Sequence, residues 1–198
     1  MMKKIMYLLI FICMVALVGC NKSDNLKTTS SFKGKEVVYS SENSSKIKQL
    51  LKSYGTSQQL TVEKMSKKNI LIIKDEKIVA NEKLWNDFYT NTKNKKECSI
   101  TILQYTAQND PILTYLSYKD NKFYMMEDDS RDQYRESEKE KDYYEYTFNY
   151  LKLFEEDEKI YVYLLNDNNI TLEKLNYSLL SSNMNEWIPY GFVFYYDK

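Results

Sequence analysis

The stretch "ILTYLSYKDNKFYMME", Ile112 to Glu127, consists of two runs of apolar and aromatic residues joined by Asp120-Asn121. That pair suits a tight two-residue hairpin, so Ile112–Lys119 and Lys122–Glu127 are predicted to pair as antiparallel strands in a register set by the turn. Upstream, Cys98, Ile100 and Ile102 fall on one face of an alternating segment and Ser99 and Thr101 on the other, and Asp110-Pro111 breaks the run.

Helices flank this core in sequence. Ile47, Leu50, Leu51 and Tyr54 recur at i, i+3, i+4 and i+7, with Ser44 or Ser45 available as a cap and Gly55 placed to take the left-handed position after the last turn. "NILIIK", Asn69 to Lys74, reads as a buried strand. Asn81 then offers an N-cap for a helix to about Thr92, with Leu84, Trp85, Phe88 and Tyr89 as its apolar face. Tyr143–Phe154 and Ile160–Leu165 are predicted to form a hairpin around Glu155-Glu156-Asp157-Glu158-Lys159, with Tyr144, Tyr146, Phe148 and Tyr150 on one face. A further helix is expected near Thr171 through Leu172, Leu175 and Leu179, followed by a final strand, Ile188 to Tyr196. Consecutive hairpins with helices between them predict an α+β domain: a mostly antiparallel sheet with about three helices, over residues 36–198, opening on a short strand at Glu36–Tyr39.

What precedes the domain bears on location. Met1-Met2-Lys3-Lys4 is a short basic start, and an apolar run from Ile5 to Val18 follows it. This pattern is that of a secretory signal, too short and wrongly flanked for a comfortable membrane span. The run ends in Leu17-Val18-Gly19-Cys20, which resembles the lipobox of bacterial lipoproteins. On that resemblance residues 1–19 are a signal peptide removed before Cys20, and Cys20 carries diacylglycerol. Two acyl chains anchor a protein stably where one holds it only marginally. Residues 20–35 then form the lipidated N-terminus and a polar tether, whose stretch Asn21–Gly34 reaches roughly 20 Å as a coil. The expected location is the extracytoplasmic face of the cell membrane.

Composition removes several function classes. Loss of Lys3 and Lys4 would leave 26 basic and 28 acidic side chains, so there is no electrostatic case for nucleic acid. The chain has no histidine, which excludes Ser-His-Asp and Cys-His arrangements and every histidine-containing zinc site. Cys98 is the one cysteine left without another role, and it reads as a small apolar strand residue. Lysine far outnumbers arginine, which occurs only at Arg131 and Arg135, a usage that suits an AT-rich genome.

Three patterns could carry a site. In "EDDSRDQY", Asp128, Ser130 and Asp132 alternate like the first ligands of a calcium loop, because a hard cation needs six to eight converging oxygens. Gln133 stands where glycine is wanted and Lys139 where a closing glutamate belongs, so the segment reads as an acidic turn with an internal pair from Asp128 or Asp132 to Arg131. The 19 tyrosines could face glycans, although strand tyrosines more often bury the ring and leave the hydroxyl wet. Glu155-Glu156-Asp157-Glu158 is a contiguous acidic turn, whereas acid–base catalysis needs carboxylates in different environments across a cleft.

Ser99 to Tyr134 resembles an uncharacterised family of Gram-positive lipoproteins, a domain of unknown function. The matching positions are Ile100, Thr101, Tyr105, Thr106, Asp110, Pro111 and Ile112, then Asp128, Ser130, Asp132 and Tyr134. Asn109, Asp129 and Arg135 depart from the family's pattern. The resemblance implies location and architecture and supplies no activity. It marks Tyr105, Asp110, Asp128, Ser130, Asp132 and Tyr134 as a candidate binding surface, with hairpin punctuation as their plainer role. No catalytic residue, metal or cofactor is expected. The sequence therefore predicts a membrane-tethered, non-catalytic binding or sensing module, with an envelope protein or cell-wall polymer as partner. A carboxylate-based envelope hydrolase and a structural or protective envelope protein are the alternatives.

Overall fold

The computed structural model describes residues 41–134 and 143–198. The signal, the tether and the Glu36–Tyr39 strand lie outside them. Among the described residues the helices are α1 (Ser41–Ser53), α2 (Val62–Met65), α3 (Glu82–Lys93) and α4 (Leu172–Leu180), and a 3-10 turn spans Met184–Glu186. The strands are β1 (Leu71–Lys74), β2 (Lys77–Ala80), β3 (Cys98–Tyr105), β4 (Pro111–Lys119), β5 (Lys122–Asp128), β6 (Tyr143–Phe148), β7 (Tyr150–Glu156), β8 (Lys159–Leu165) and β9 (Tyr190–Asp197). Six form one sheet in the order β2-β1-β3-β4-β5-β6, and three form a second, β7-β8-β9. Every adjacent pair is antiparallel except β1 with β3, so the α+β architecture expected from the sequence is the one observed.

The β4–β5 hairpin is the centre of the larger sheet. Lys119 faces Lys122 across the turn, and Asp120 and Asn121 take φ of 52° and 58°, the left-handed pair that matches the twist of the strands. Alternation then sorts side chains onto two faces. Ile100, Ile102, Leu116, Phe123 and Met125 pack with Trp85 and Phe88 of α3 and with Val162, Leu164 and Phe194 of the second sheet. Trp85 meets Phe194 edge-on, with ring centroids 4.9 Å apart. On the other face Leu103, Leu113 and Met126 pack with Ile47 and Leu51 of α1 and with Leu60 and Met65 around α2. A third cluster joins Tyr163 and Leu165 of β8 to Leu175 of α4. Full burial of a leucine, isoleucine or phenylalanine contributes roughly 1.5–3 kcal/mol, so these clusters account for the layering.

Several sequence expectations change in detail. The predicted strand Tyr143–Phe154 is broken at Asn149: β6 pairs with β5 in the larger sheet, and only β7 pairs with β8. Asn149 is the corner, its N–H donating to Leu165 O at 3.2 Å. Tyr150 consequently leaves the face shared by Tyr144, Tyr146 and Phe148, and it is exposed. The chain gains a strand, β2, and a short helix, α2, that periodicity did not announce. Asn81 stands at the N-cap position of α3, as expected, but its side chain makes no cap bond there. It takes φ of 59°, and its amide donates to the carbonyls of Ile70 (2.8 Å), Lys68 (2.9 Å) and Ser66 (3.3 Å), tying down the entry to β1. Leu179, expected on the buried face of α4, is exposed. Among the described residues no helix is long and apolar enough to cross a membrane.

Candidate functional site

The fold brings the acidic loop and Asp110 together at one end of the larger sheet. Asp128 closes β5 with no exposed surface. Its Oδ1 accepts from the Ser130 N–H at 3.2 Å and the Ser130 hydroxyl at 2.6 Å, and its Oδ2 accepts from Arg131 Nη1 at 2.7 Å. Arg131 continues inward: Nε donates to Gly55 O at 2.8 Å and Nη2 to Leu51 O at 3.3 Å. Those oxygens belong to the end of α1, where carbonyls have no partner within the helix. Gly55 ends α1 with φ of 96°, a conformation costly for any residue with a Cβ. Asp128, Arg131 and Gly55 thus bolt α1 to the sheet.

Asp110 repeats the pattern. It is buried, and its two carboxylate oxygens accept from the backbone N–H of Gln133 (3.1 Å) and the side-chain amide of Gln133 (3.0 Å). Tyr105 donates its hydroxyl to Leu60 O at 2.7 Å, with Lys74 Nζ 5.2 Å above its ring. Asp132 accepts from the Tyr134 N–H at 2.8 Å. Tyr134 itself is 71% exposed. Tyr105, Asp110, Asp128, Ser130 and Asp132 therefore aim polar atoms at their own chain, and of the six only Ser130 and Tyr134 are exposed. Among the described residues no group of three or more aspartate, glutamate or cysteine side chains is placed to hold a metal ion.

The next residue back carries a different chemistry. Glu127 lies on the opposite face of β5 from Asp128, directly across from Tyr144 of β6, with Tyr146 two residues further along. Burial, then the charge of Asp129, pushes its carboxyl up to about 7. Tyr146 is pushed up to about 12, by burial first and then by Glu127, Tyr144, Asp129 and Tyr190 of β9. The sequence held the signal for this group. Phe123 and Met125 set the phase of the inward face, and the next inward position is Glu127.

The exposed surface has two distinctive regions. In the first, Tyr177, Leu179 and Leu180 of α4 lie close in the chain to Met184 and Trp187 of the following turn, all exposed, Leu180 by 88% and Trp187 by 50%. Hydrogen bonds hold this turn in shape. Trp187 Nε1 donates to Ser181 O at 2.9 Å, Ser181 Oγ and Asn183 Nδ2 donate to the Glu186 carboxylate at 2.6 and 3.1 Å, and Asn183 Oδ1 accepts from the Asn185 N–H at 3.1 Å. Polar groups are spent internally, and apolar ones are left facing out.

The second region is a cleft of about 320 Å³. Its floor is Cys98–Thr101 of β3, and its walls come from α3, through Leu84, Asp87 and Asn91, from Leu50 of α1 and from Tyr54 just past the end of α1. Cys98 is half-buried there, its thiol donating weakly to Phe88 O at 3.8 Å, and burial raises its pKa.

Comparison with known proteins adds a partial domain match and no activity. No curated protein and no solved structure matches the chain. A domain of unknown function (DUF4362) is found at residues 64–161, a span running from α2 through the larger sheet to the first residues of β8 and containing Ser99–Tyr134.

Proposed function

We propose that this is a lipid-anchored extracytoplasmic protein whose domain acts by contact, binding or sensing an envelope protein or cell-wall polymer without chemistry of its own. The anchor rests on Leu17-Val18-Gly19-Cys20, where a diacylglyceryl group on Cys20 would supply two acyl chains. The single observation that carries the binding role is the concentration of exposed apolar side chains, Tyr177, Leu179, Leu180, Met184 and Trp187, within eleven residues of chain around a hydrogen-bonded turn. A tryptophan held by its own N–H with its ring exposed is the kind of anchor on which contact surfaces concentrate binding energy. Rigidity lowers the entropy lost on association. Contact also fits better than hydrolysis, since the carboxylate lining the cleft is Asp87, whereas Glu127, with its raised pKa, faces the space between the sheets.

The test is a photoreactive side chain in place of Leu180 in the cells that make the protein. It should yield a discrete crosslinked product that the same group at buried Leu175 does not. Trp187→Ala should weaken that capture by roughly tenfold or more. Equal products from both positions, or none from Leu180, would count against the reading.

A further inference from the structure

Eight-residue β3 is paired along its whole length with β4, from Cys98 opposite Tyr118 to Tyr105 opposite Pro111. On its other side β1 pairs only from Leu71 opposite Ile102 to Ile73 opposite Gln104. Among the described residues no strand pairs with Cys98–Thr101 on that side, where Ser99 is exposed, Cys98 half-buried and Ile100 and Thr101 buried, and alternate residues of such an edge direct both N–H and C=O outward. The cleft lies on this edge. Beneath it, Ser117 faces Ser99 across the β3–β4 ladder, and its hydroxyl is buried without a hydrogen-bond partner among the described residues. Unpaired backbone groups in a walled slot suit one kind of ligand, another extended backbone.

Charge narrows the choice further. Exposed Lys67 and Lys68 immediately precede cleft residue Asn69, and exposed Lys93, Lys95 and Lys96 lie between cleft residues Asn91 and Cys98. Lys68 Nζ sits 5.6 Å over the ring of Tyr54, on the cleft wall. Against these stand Glu97 and Asp87, the latter already paired with Lys83 at 2.5 Å. The surroundings are net positive.

We infer that the open edge of β3 receives an extended acidic peptide, which adds as a strand in line with β1, between α1 and α3. The slot admits about four residues, roughly 13 Å at strand rise. Backbone hydrogen bonds to Cys98–Thr101 would give affinity, and acidic side chains would meet the flanking lysines. This inference goes beyond the contact role proposed above, since it concerns a different surface and does not involve Leu180, Trp187 or the membrane anchor.

Cys98 makes the slot directly measurable. In the full chain, the rate of Cys98 alkylation can be followed by peptide mass mapping while an acetylated, amidated hexapeptide of alternating valine and glutamate is added. The peptide at ten times its dissociation constant should slow alkylation about tenfold. The same peptide N-methylated on alternate backbone nitrogens should protect far less, and so should the unmodified peptide against Lys67→Glu/Lys68→Glu. Molar salt should weaken protection by screening. Unchanged alkylation at millimolar peptide would overturn the inference. So would equal protection by the N-methylated peptide or by a poly(glycerol phosphate) chain, because the lysines would then be reading charge with no strand addition.

Discussion

Two neighbouring carboxylates on β5, Asp128 and Glu127, meet opposite fates because a strand turns successive side chains to opposite faces. Asp128 is buried with Arg131, whose side chain is 9% exposed, at 2.7 Å. Removing one member of such a pair leaves a buried charge unmatched, so Asp128→Ala should cost about 3–5 kcal/mol, read as a lowered denaturant midpoint. Replacing both residues should cost less than the sum of the single changes. Among the described residues Glu127 has no ion-pair partner of this kind. Its folded pKa of about 7 lies above the ordinary 4.5, so the folded state binds its proton more tightly than the unfolded chain does. The penalty for ionising it is absent below about pH 4.5, grows as pH rises through 7 and is complete above. With no histidine in the chain to titrate in this window, melting temperature should fall between pH 5 and pH 8. Glu127→Gln should flatten that slope and stabilise the protein at pH 8 by on the order of 2 kcal/mol, after allowance for partial solvent contact. The Asp128 to Arg131 pair was legible as one of two alternatives, because both residues sit in one short acidic turn. The onward reach of Arg131 to Leu51 and Gly55 was not, since it spans 80 and 76 residues of sequence.

At the level of elements, strong periodicity was readable and turns held by distant contacts were not. The β4–β5 hairpin follows from Asp120-Asn121, and α1 from the spacing of Ile47 and Leu51, both buried. By contrast, β2 follows a turn at Asp75-Glu76, with φ of 49° and 62°, and glutamate is an unusual residue for that backbone. The reason lies at the other end of the chain. The Asp197 N–H donates to Glu76 O at 2.7 Å, and Lys159 and Tyr195 hold the Glu76 carboxylate. The Asp157-Glu158 turn takes the same left-handed pair, and the Lys198 N–H donates to Glu158 O at 3.0 Å. One C-terminal strand thus secures two hairpins. The strand break at Asn149 is likewise a packing result. Beside it, Gly191 of β9 runs so close to Phe148 that a Cβ there would lie 2.7 Å from Phe148 Cε2. Gly191→Ala should therefore lower stability by about 1–3 kcal/mol, with the loss visible in thermal unfolding, as Phe148 is forced out of the core between the sheets.

For the molecule as a whole, the sequence carried the architecture because burial dominates it: the apolar alternation of β3, β4 and β5 and the stripe on α3 are the core that forms. The surfaces that matter for function were far less legible. Periodicity placed Leu179 on a buried face, whereas among the described residues nothing packs over it and it stays exposed. The open edge of β3 arises from the offset between β1 and β3, which no local pattern encodes. Composition and the N-terminal pattern bear on a different question, where the domain works, and the contact role proposed for it depends on the answer. The most direct test is mass spectrometry of the chain recovered from the membrane fraction of the cells that make it. The account predicts a mature N-terminus at Cys20, with diacylglycerol on its sulfur. A soluble protein that retains Met1 to Gly19 ahead of an unmodified Cys20 would contradict it.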